Sequence, residues 1–305
     1  MSENICALFA GQSVQETGMG IELLKNPAAR AVIERLKPSL GADLEILLTT
    51  MAEEPLALTF NAQRAIHASH AAHWLAYKAA HPALRLAGAI GHSMGVVAAL
   101  VAAEALTLEE SGRFIAARAQ AFSDCCKAFT EPMGLAAVSA DDFHDVVESA
   151  SEVPGVSVAL WNTLGRGTLG GTIAALEAYA AKARAEDWPV KVKILKVEGP
   201  YHTAAFAPAK AALAATLASI EMKAPKVPVF MGTSGKAETD PARIKDLLAE
   251  QTVACERHLD AVRAAHAAGC QTFLEVSFKP QPVTWLSDQL EAGSYKAVTV
   301  STAAI

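Results

Sequence analysis

The chain has 305 residues, 52% of them hydrophobic, 6% aromatic and 19% charged, with a formal net charge of −6. This size exceeds what one core usually fills, so a large domain and a smaller one are expected, and so alanine-rich and apolar a composition excludes a disordered chain. The acidic balance argues against a dedicated nucleic-acid binder.

Met1 to Ile5 carries no basic segment leading into an apolar run. With no long uncharged apolar stretch either, a cytoplasmic protein is expected. Cys6, Cys125, Cys126, Cys255 and Cys270 are odd in number and form no C-x-x-C pair. That favours reduced thiols over a zinc site or a disulfide framework.

Short apolar runs alternate with stretches of helical period, the pattern of an α/β fold with a mostly parallel sheet. Residues 5–10 read as a buried strand, 20–36 and 60–80 as helices, and 87–91 as a second strand. Helical period returns over 96–105 and 108–128 and breaks at Pro132-Met133-Gly134. Residues 135–197 then read as strand 135–139, helix 141–150, strands 156–160 and 167–171, helix 173–186 and strand 190–197. That β-α-β-β-α-β order is the ferredoxin-like arrangement and suggests a small inserted domain. Beyond it, helical period covers 204–220 and 241–268, with strands at 227–231, 273–276 and 297–300.

Gly91-His92-Ser93-Met94-Gly95 places a G-x-S-x-G between the second strand and a helix. Glycines on both sides allow a turn too tight for side chains and push the hydroxyl into the open, where amides at the helix start can stabilise an oxyanion. Some such serines only cap helices, but the strand-turn-helix context favours a nucleophile. A serine needs a base to take its proton. Among nine histidines, His202 in Glu198-Gly199-Pro200-Tyr201-His202 stands out, because it follows a strand end and a Gly-Pro turn.

With these residues assembled, the chain resembles the malonyl-CoA:acyl-carrier-protein transacylases and the acyltransferase domains of polyketide and fatty acid synthases. Gly11-Gln12-Ser13-Val14-Gln15 is similar to that family's amino-terminal loop, Gly91 to Gly95 to its nucleophile motif, and Gly199 to His202 to the segment carrying its histidine. Arg118, twenty-five residues after Ser93, falls where the family places a carboxylate-binding arginine. Asn162 matches an asparagine lining the cleft, and Gln251 a glutamine whose main-chain carbonyl orients the histidine.

The resemblance implies a Ser93 acyl-enzyme with His202 as acid and base, an oxyanion hole from the amides of Gln12 and Met94, and malonyl selection by Arg118, with the bulky Tyr201 before the histidine accompanying malonyl over methylmalonyl. It also implies coenzyme A thioester as substrate, an acyl carrier protein as partner, and no permanently bound cofactor or metal. The expected architecture is a hydrolase-like large domain, 1–128 and 199–305, with the ferredoxin-like insert at 129–198, in a monomer.

Several residues depart from the family pattern. Ser13 stands where the family loop usually has glycine, Val96-Val97 replaces a more polar pair, Arg257-His258 stands near the usual Arg-Trp, and Ser277-Phe278-Lys279-Pro280 replaces a Gly-Pro-Gly turn. These leave the acyl donor and acceptor open, as well as the pathway, whether fatty acid synthesis, polyketide assembly or a malonate decarboxylase complex.

Other features carry competing readings. His67, His70 and His73 invite a metal site, but three histidines without carboxylate or cysteine support read better as a solvated helix face. Lys191, Lys193 and Lys196 fit either carrier docking or protection of an edge strand. A plain serine hydrolase would use His258 or His202 with an acid such as Asp240. A non-catalytic scaffold would need none of Ser93, His202 and Arg118.

Overall fold

The computed structural model describes residues 4–302 and 305. The chain runs β1 (Ile5–Phe9), α1 (Pro27–Leu40), α2 (Leu44–Thr49), α3 (Glu53–Ala57), α4 (Thr59–Ala80), β2 (Leu86–Gly91), α5 (Gly95–Ala102) and α6 (Leu108–Lys127). There follow β3 (Met133–Ser139), α7 (Phe143–Ser151), β4 (Val156–Trp161), β5 (Arg166–Thr172), α8 (Ile173–Ala185) and β6 (Lys191–Ile194). The last part comprises α9 (Ala207–Ser219), β7 (Val229–Met231), β8 (Lys236–Glu238), α10 (Pro241–Glu250), β9 (Glu256–Arg257), α11 (His258–Ala267), β10 (Thr272–Val276) and β11 (Lys296–Val300).

Two sheets organise these elements. The larger has the order β11-β10-β1-β2-β7-β8, parallel except for β8. Its β1 side chains alternate between two cores: Ala7 and Phe9 pack towards α4 and α5, and Cys6 and Leu8 towards α11. Burial on both faces is what a parallel sheet requires. Because β1 and β2 are parallel neighbours, with Phe9 opposite Gly91, the loops after both strands emerge side by side. That is where α/β sheets place ligands.

The smaller sheet has the order β6-β3-β5-β4-β9. Ala136, Val138, Leu169, Val192 and Ile194 face α7 and α8 through Phe143, Val146, Leu176 and Tyr179. Leu135, Leu160, Thr168 and Leu195 look the other way, into a cleft against the larger sheet.

Three expectations need correction. The helix predicted over 20–36 begins only at Pro27, because Asn26 caps it by accepting the amides of Ala28 and Ala29 while Pro27 supplies the first helical position. The single helix predicted over 241–268 is two helices. Between them Glu256 and Arg257 pair in parallel with Leu160 and Trp161, so tertiary pairing overrides helical period there. The strand predicted over 190–197 is only Lys191–Ile194. Through the β4–β9 pairing the small sheet takes a fifth strand from outside residues 129–198.

Candidate active site

The turn between β2 and α5 is made by crowding. A Cβ on Gly91 would lie 2.0 Å from the Val96 nitrogen, and one on Gly95 would lie 2.4 Å from the Phe9 carbonyl oxygen, so neither position admits a side chain. Ser93 between them sits at φ 51°, in the left-handed region. The amides of Gly95, Val96 and Val97 turn back onto the carbonyls of His92, Ser93 and Met94. That leaves the Met94 N–H at the helix start outside the ladder.

His202 reaches the turn from the opposite side, itself at φ 62°. Its Nδ1 lies 2.7 Å from the Gln251 carbonyl, which can only accept, so Nδ1 carries the proton and Nε2 is free to accept from Ser93 Oγ at 2.7 Å. His202 is 2% exposed. Burial, with the Arg118 charge assisting, holds its pKa down to about 3, so the ring is a neutral base throughout the physiological range.

Around this pair lies a cleft of about 260 Å³, lined by Gln12, Asn162, Leu160, Leu195, Tyr201 and Trp285 among others. Gln12 accepts from Thr59 Oγ1 at 3.1 Å. Its loop presses on the nucleophile turn, since a Cβ on Gly11 would come within 2.6 Å of His92 Nδ1 and 3.3 Å of Ser93 Cβ. Asn162 Oδ1 lies 3.0 Å from His92 Nε2, tying the small sheet to the same turn.

Arg118 is 2% exposed. Its Nη1 donates to Gln63 Oε1 at 2.6 Å, and its guanidinium lies 4.1 Å over the Phe122 ring, which stacks on Tyr201. Nη2 is buried with no hydrogen-bond partner among the described residues. Burial lowers its pKa to about 10, against the favourable fields of Glu256 and Tyr201, so it remains a cation at neutral pH. Arg118 is not among the residues that line the cleft, but it is linked through the Phe122 ring to Tyr201, which is. A buried cation with an unused donor is costly unless an anion completes it.

A match to the acyl transferase domain family spans residues 7–304. The chain belongs to that family. It is 30% identical over 275 residues to the malonyl CoA-acyl carrier protein transacylase of Salmonella typhimurium, covering 88% of this chain and 87% of that protein. An acyl-carrier-protein S-malonyltransferase from Bartonella henselae shares the α/β fold with a TM-score of 0.90 at 28% identity, over 98% of this chain and 96% of the other. A malonyl-transacylase solved in complex with a type II polyketide synthase acyl-carrier protein gives 0.89 at 25%, over 99% and 97%.

In this acyl transferase the structure brings Ser93, His202 and the Gln251 carbonyl into contact, and sets Gln12, Asn162 and Tyr201 around them. The alternative hydrolase reading shares the Ser93–His202 pair, but its other members are not at the site. His258 is buried with neither ring nitrogen bonded, packed on His92 and Trp285, while Asp240 caps α10. A shallower groove of about 740 Å³ at the rim of the small sheet, lined by Arg166, Trp188 and Lys191 among others, does not reach Ser93 or His202.

The histidine trio is not a solvated face. His67, His70 and His73 are all buried on α4, and each serves a different partner: Ser111 Oγ, the Ala10 carbonyl, and the Ser69 carbonyl with Thr302. Alanine-rich α4 is surrounded by other elements and has no wet side over that stretch. Lys191 and Lys193 are exposed on β6, an edge strand, opposite Ser139 and Ala137.

Sequence reasoning missed Glu256 and Gln63. Gln63 had a faint signal, a polar residue one turn after Thr59 on an otherwise alanine-rich helix. Glu256, in Ala-Cys-Glu-Arg, had none; only its pairing with β4 buries it.

Proposed function

We propose that the protein carries a malonyl group on Ser93 and passes it from coenzyme A to the phosphopantetheine thiol of an acyl carrier protein. The observation that carries this reading is the Ser93–His202–Gln251 chain of contacts together with the buried, half-partnered Arg118. His202 Nε2 takes the Ser93 proton as Oγ attacks the thioester carbonyl, and the tetrahedral oxyanion is received by the amides of Met94 and Gln12. His202 then gives its proton to the departing coenzyme A sulfur. The carrier thiol surrenders a proton to His202, attacks the Ser93 ester, and the same steps run in reverse. The Gln251 carbonyl holds the histidine tautomer, where a triad would use a carboxylate.

Arg118 gives the substrate preference. A malonyl carboxylate completes its unused Nη2 through a charge-assisted hydrogen bond, which an acetyl group cannot. Tyr201, stacked on Phe122 under Arg118, forms the wall beside that carboxylate. Coenzyme A thioester enters as substrate, with no resident cofactor or metal.

The strand order β6-β3-β5-β4 and its two helices on one face support a ferredoxin-like insert at 129–198 in a hydrolase-like domain formed by 1–128 and 199–305. Among the described residues no helix is long and apolar enough to cross a membrane; we read the protein as a cytoplasmic monomer.

Separate incubation with malonyl-, methylmalonyl- and acetyl-CoA, read by intact mass, tests the preference. Malonyl should load Ser93 much faster than acetyl. Equal loading of all three would remove Arg118 from its role.

A further inference from the structure

Glu256 enters from β9 with its side chain fully buried against the nucleophile turn. Oε1 accepts the Ser93 N–H at 2.6 Å, and Oε2 accepts from Gln251 Nε2 at 2.8 Å. The same Gln251 amide donates to the Ser93 carbonyl at 3.1 Å. Both main-chain polar groups of Ser93 are thus held by side chains of residues 251–256, and this segment also supplies the carbonyl that holds His202. Ser93 and His202 both have left-handed backbones, which persist only where the surroundings over-determine them.

We propose that Glu256 is a positioning residue: it clamps the Ser93 backbone and, through Gln251, keeps nucleophile and base in register for proton transfer. The inference rests on the reading of Ser93 as the acyl carrier. A carboxylate suits the position because it only accepts, and both groups facing it donate. An apolar residue would leave the Ser93 N–H and the Gln251 amide unpaired in a dry site. The fold makes room for it, since a Cβ on Gly232 would lie 2.5 Å from Glu256 Cγ.

The charged and titratable groups whose fields act between them and Glu256 are Arg118 from α6 and its chain neighbour Cys255. Ser93, Gln251 and Gly232 present neutral groups. Burial raises the carboxyl to about 7, against the Ser93 N–H, Arg118 and Gln251, which favour its ionised form. Protonation would turn an O–H towards an N–H and release one of the two bonds, so the clamp loosens as pH falls through neutrality. Burial holds His202 neutral to lower pH, and Glu256→Gln, which keeps His202, separates the two groups.

The test is the single-turnover rate of malonyl loading on Ser93 between pH 5 and 9 for the wild type, Glu256→Gln, Gln251→Leu and the double variant, with thermal midpoints recorded alongside. At pH 8 each single variant should load about 10²-fold more slowly, the scale of a small misplacement of reacting groups, with KM for malonyl-CoA within about threefold. The double variant should be no slower than the worse single one, as members of one network are non-additive. The wild-type rate should fall below about pH 7, and this fall should vanish in Glu256→Gln. If Glu256→Gln does not fold, the wild-type profile decides alone: a rate flat from pH 8 to 5 overturns the inference. Equal rates and profiles in wild type and folded Glu256→Gln also overturn it, while leaving the acyl-enzyme intact. No adduct on wild-type Ser93 would remove the acyl-enzyme reading and this inference with it.

Discussion

The larger sheet is packed on both faces, with Ala7 and Phe9 in one core and Cys6 and Leu8 in another, whereas the smaller sheet has helices on one face and leaves Leu135, Leu160 and Leu195 towards the cleft. Ser93 stands at the end of a strand clamped from two sides. Its hydroxyl position is therefore set by packing that a few tenths of an ångström would disturb. The wall opposite is held from behind only, so it tolerates change better. The difference suggests a division of labour: the turn after β2, with the segment 251–256 that joins the smaller sheet only through β9, fixes proton transfer, and the cleft-facing side chains of the rest of the smaller sheet accommodate the acyl group.

The comparison breaks most severely at the nucleophile and its base. Ser93→Ala and His202→Ala should each lower loading on the order of 10⁶-fold, the scale found when either member of a serine–histidine pair is removed, with no adduct in the intact mass. An adduct surviving in Ser93→Ala would place the acyl group elsewhere.

Arg118→Ala should act selectively. Loss of a buried charge pair costs roughly 2–5 kcal/mol, so kcat/KM for malonyl-CoA should fall about 10²-fold or more while acetyl-CoA changes within about threefold. Competition between the two donors measures this ratio directly, and an equal loss for both would give Arg118 a structural role only.

A change in the smaller sheet should be milder and of another kind. Leu195→Ala, worth about 1–2 kcal/mol of apolar contact, should raise KM for malonyl-CoA up to about tenfold and leave the single-turnover rate within twofold. A fall in that rate with constant KM would contradict the division of labour.

The smallest effect is a gain. Ser13 has φ 107°, a conformation suited to glycine, although its amide bonds Gln15 Oε1 and its hydroxyl accepts from Gln281. Ser13→Gly should relieve strain of roughly 1–3 kcal/mol, offset by the lost hydroxyl contact, and raise the thermal midpoint by a few degrees. A lower midpoint would mean that the Gln281 contact outweighs the strain.

What the sequence discloses follows from the same physics. Gly91 and Gly95 are required by backbone crowding, so the nucleophile turn is visible as a motif. His202 is visible because a Gly-Pro turn precedes it. Ser13 is visible as a side chain in a glycine position, and the structure finds the strain there. Glu256 and the break between α10 and α11 depend on pairing with a strand almost a hundred residues earlier, and no local pattern encodes that. Burial of His67, His70 and His73 was misread for a similar reason: the layers packed around α4 are set by the whole fold, and polar rings on an alanine-rich helix look wet until their partners are known.

The central claim is that Ser93 holds an acyl group for a carrier and not for water. Loading the wild type with malonyl-CoA, removing the excess, and following the intact mass with and without a phosphopantetheinylated carrier tests it most directly. The malonyl mass should leave Ser93 rapidly and appear on the carrier only when the carrier is present. Loss to water at the same rate in its absence would make the protein an acyl hydrolase and contradict the account.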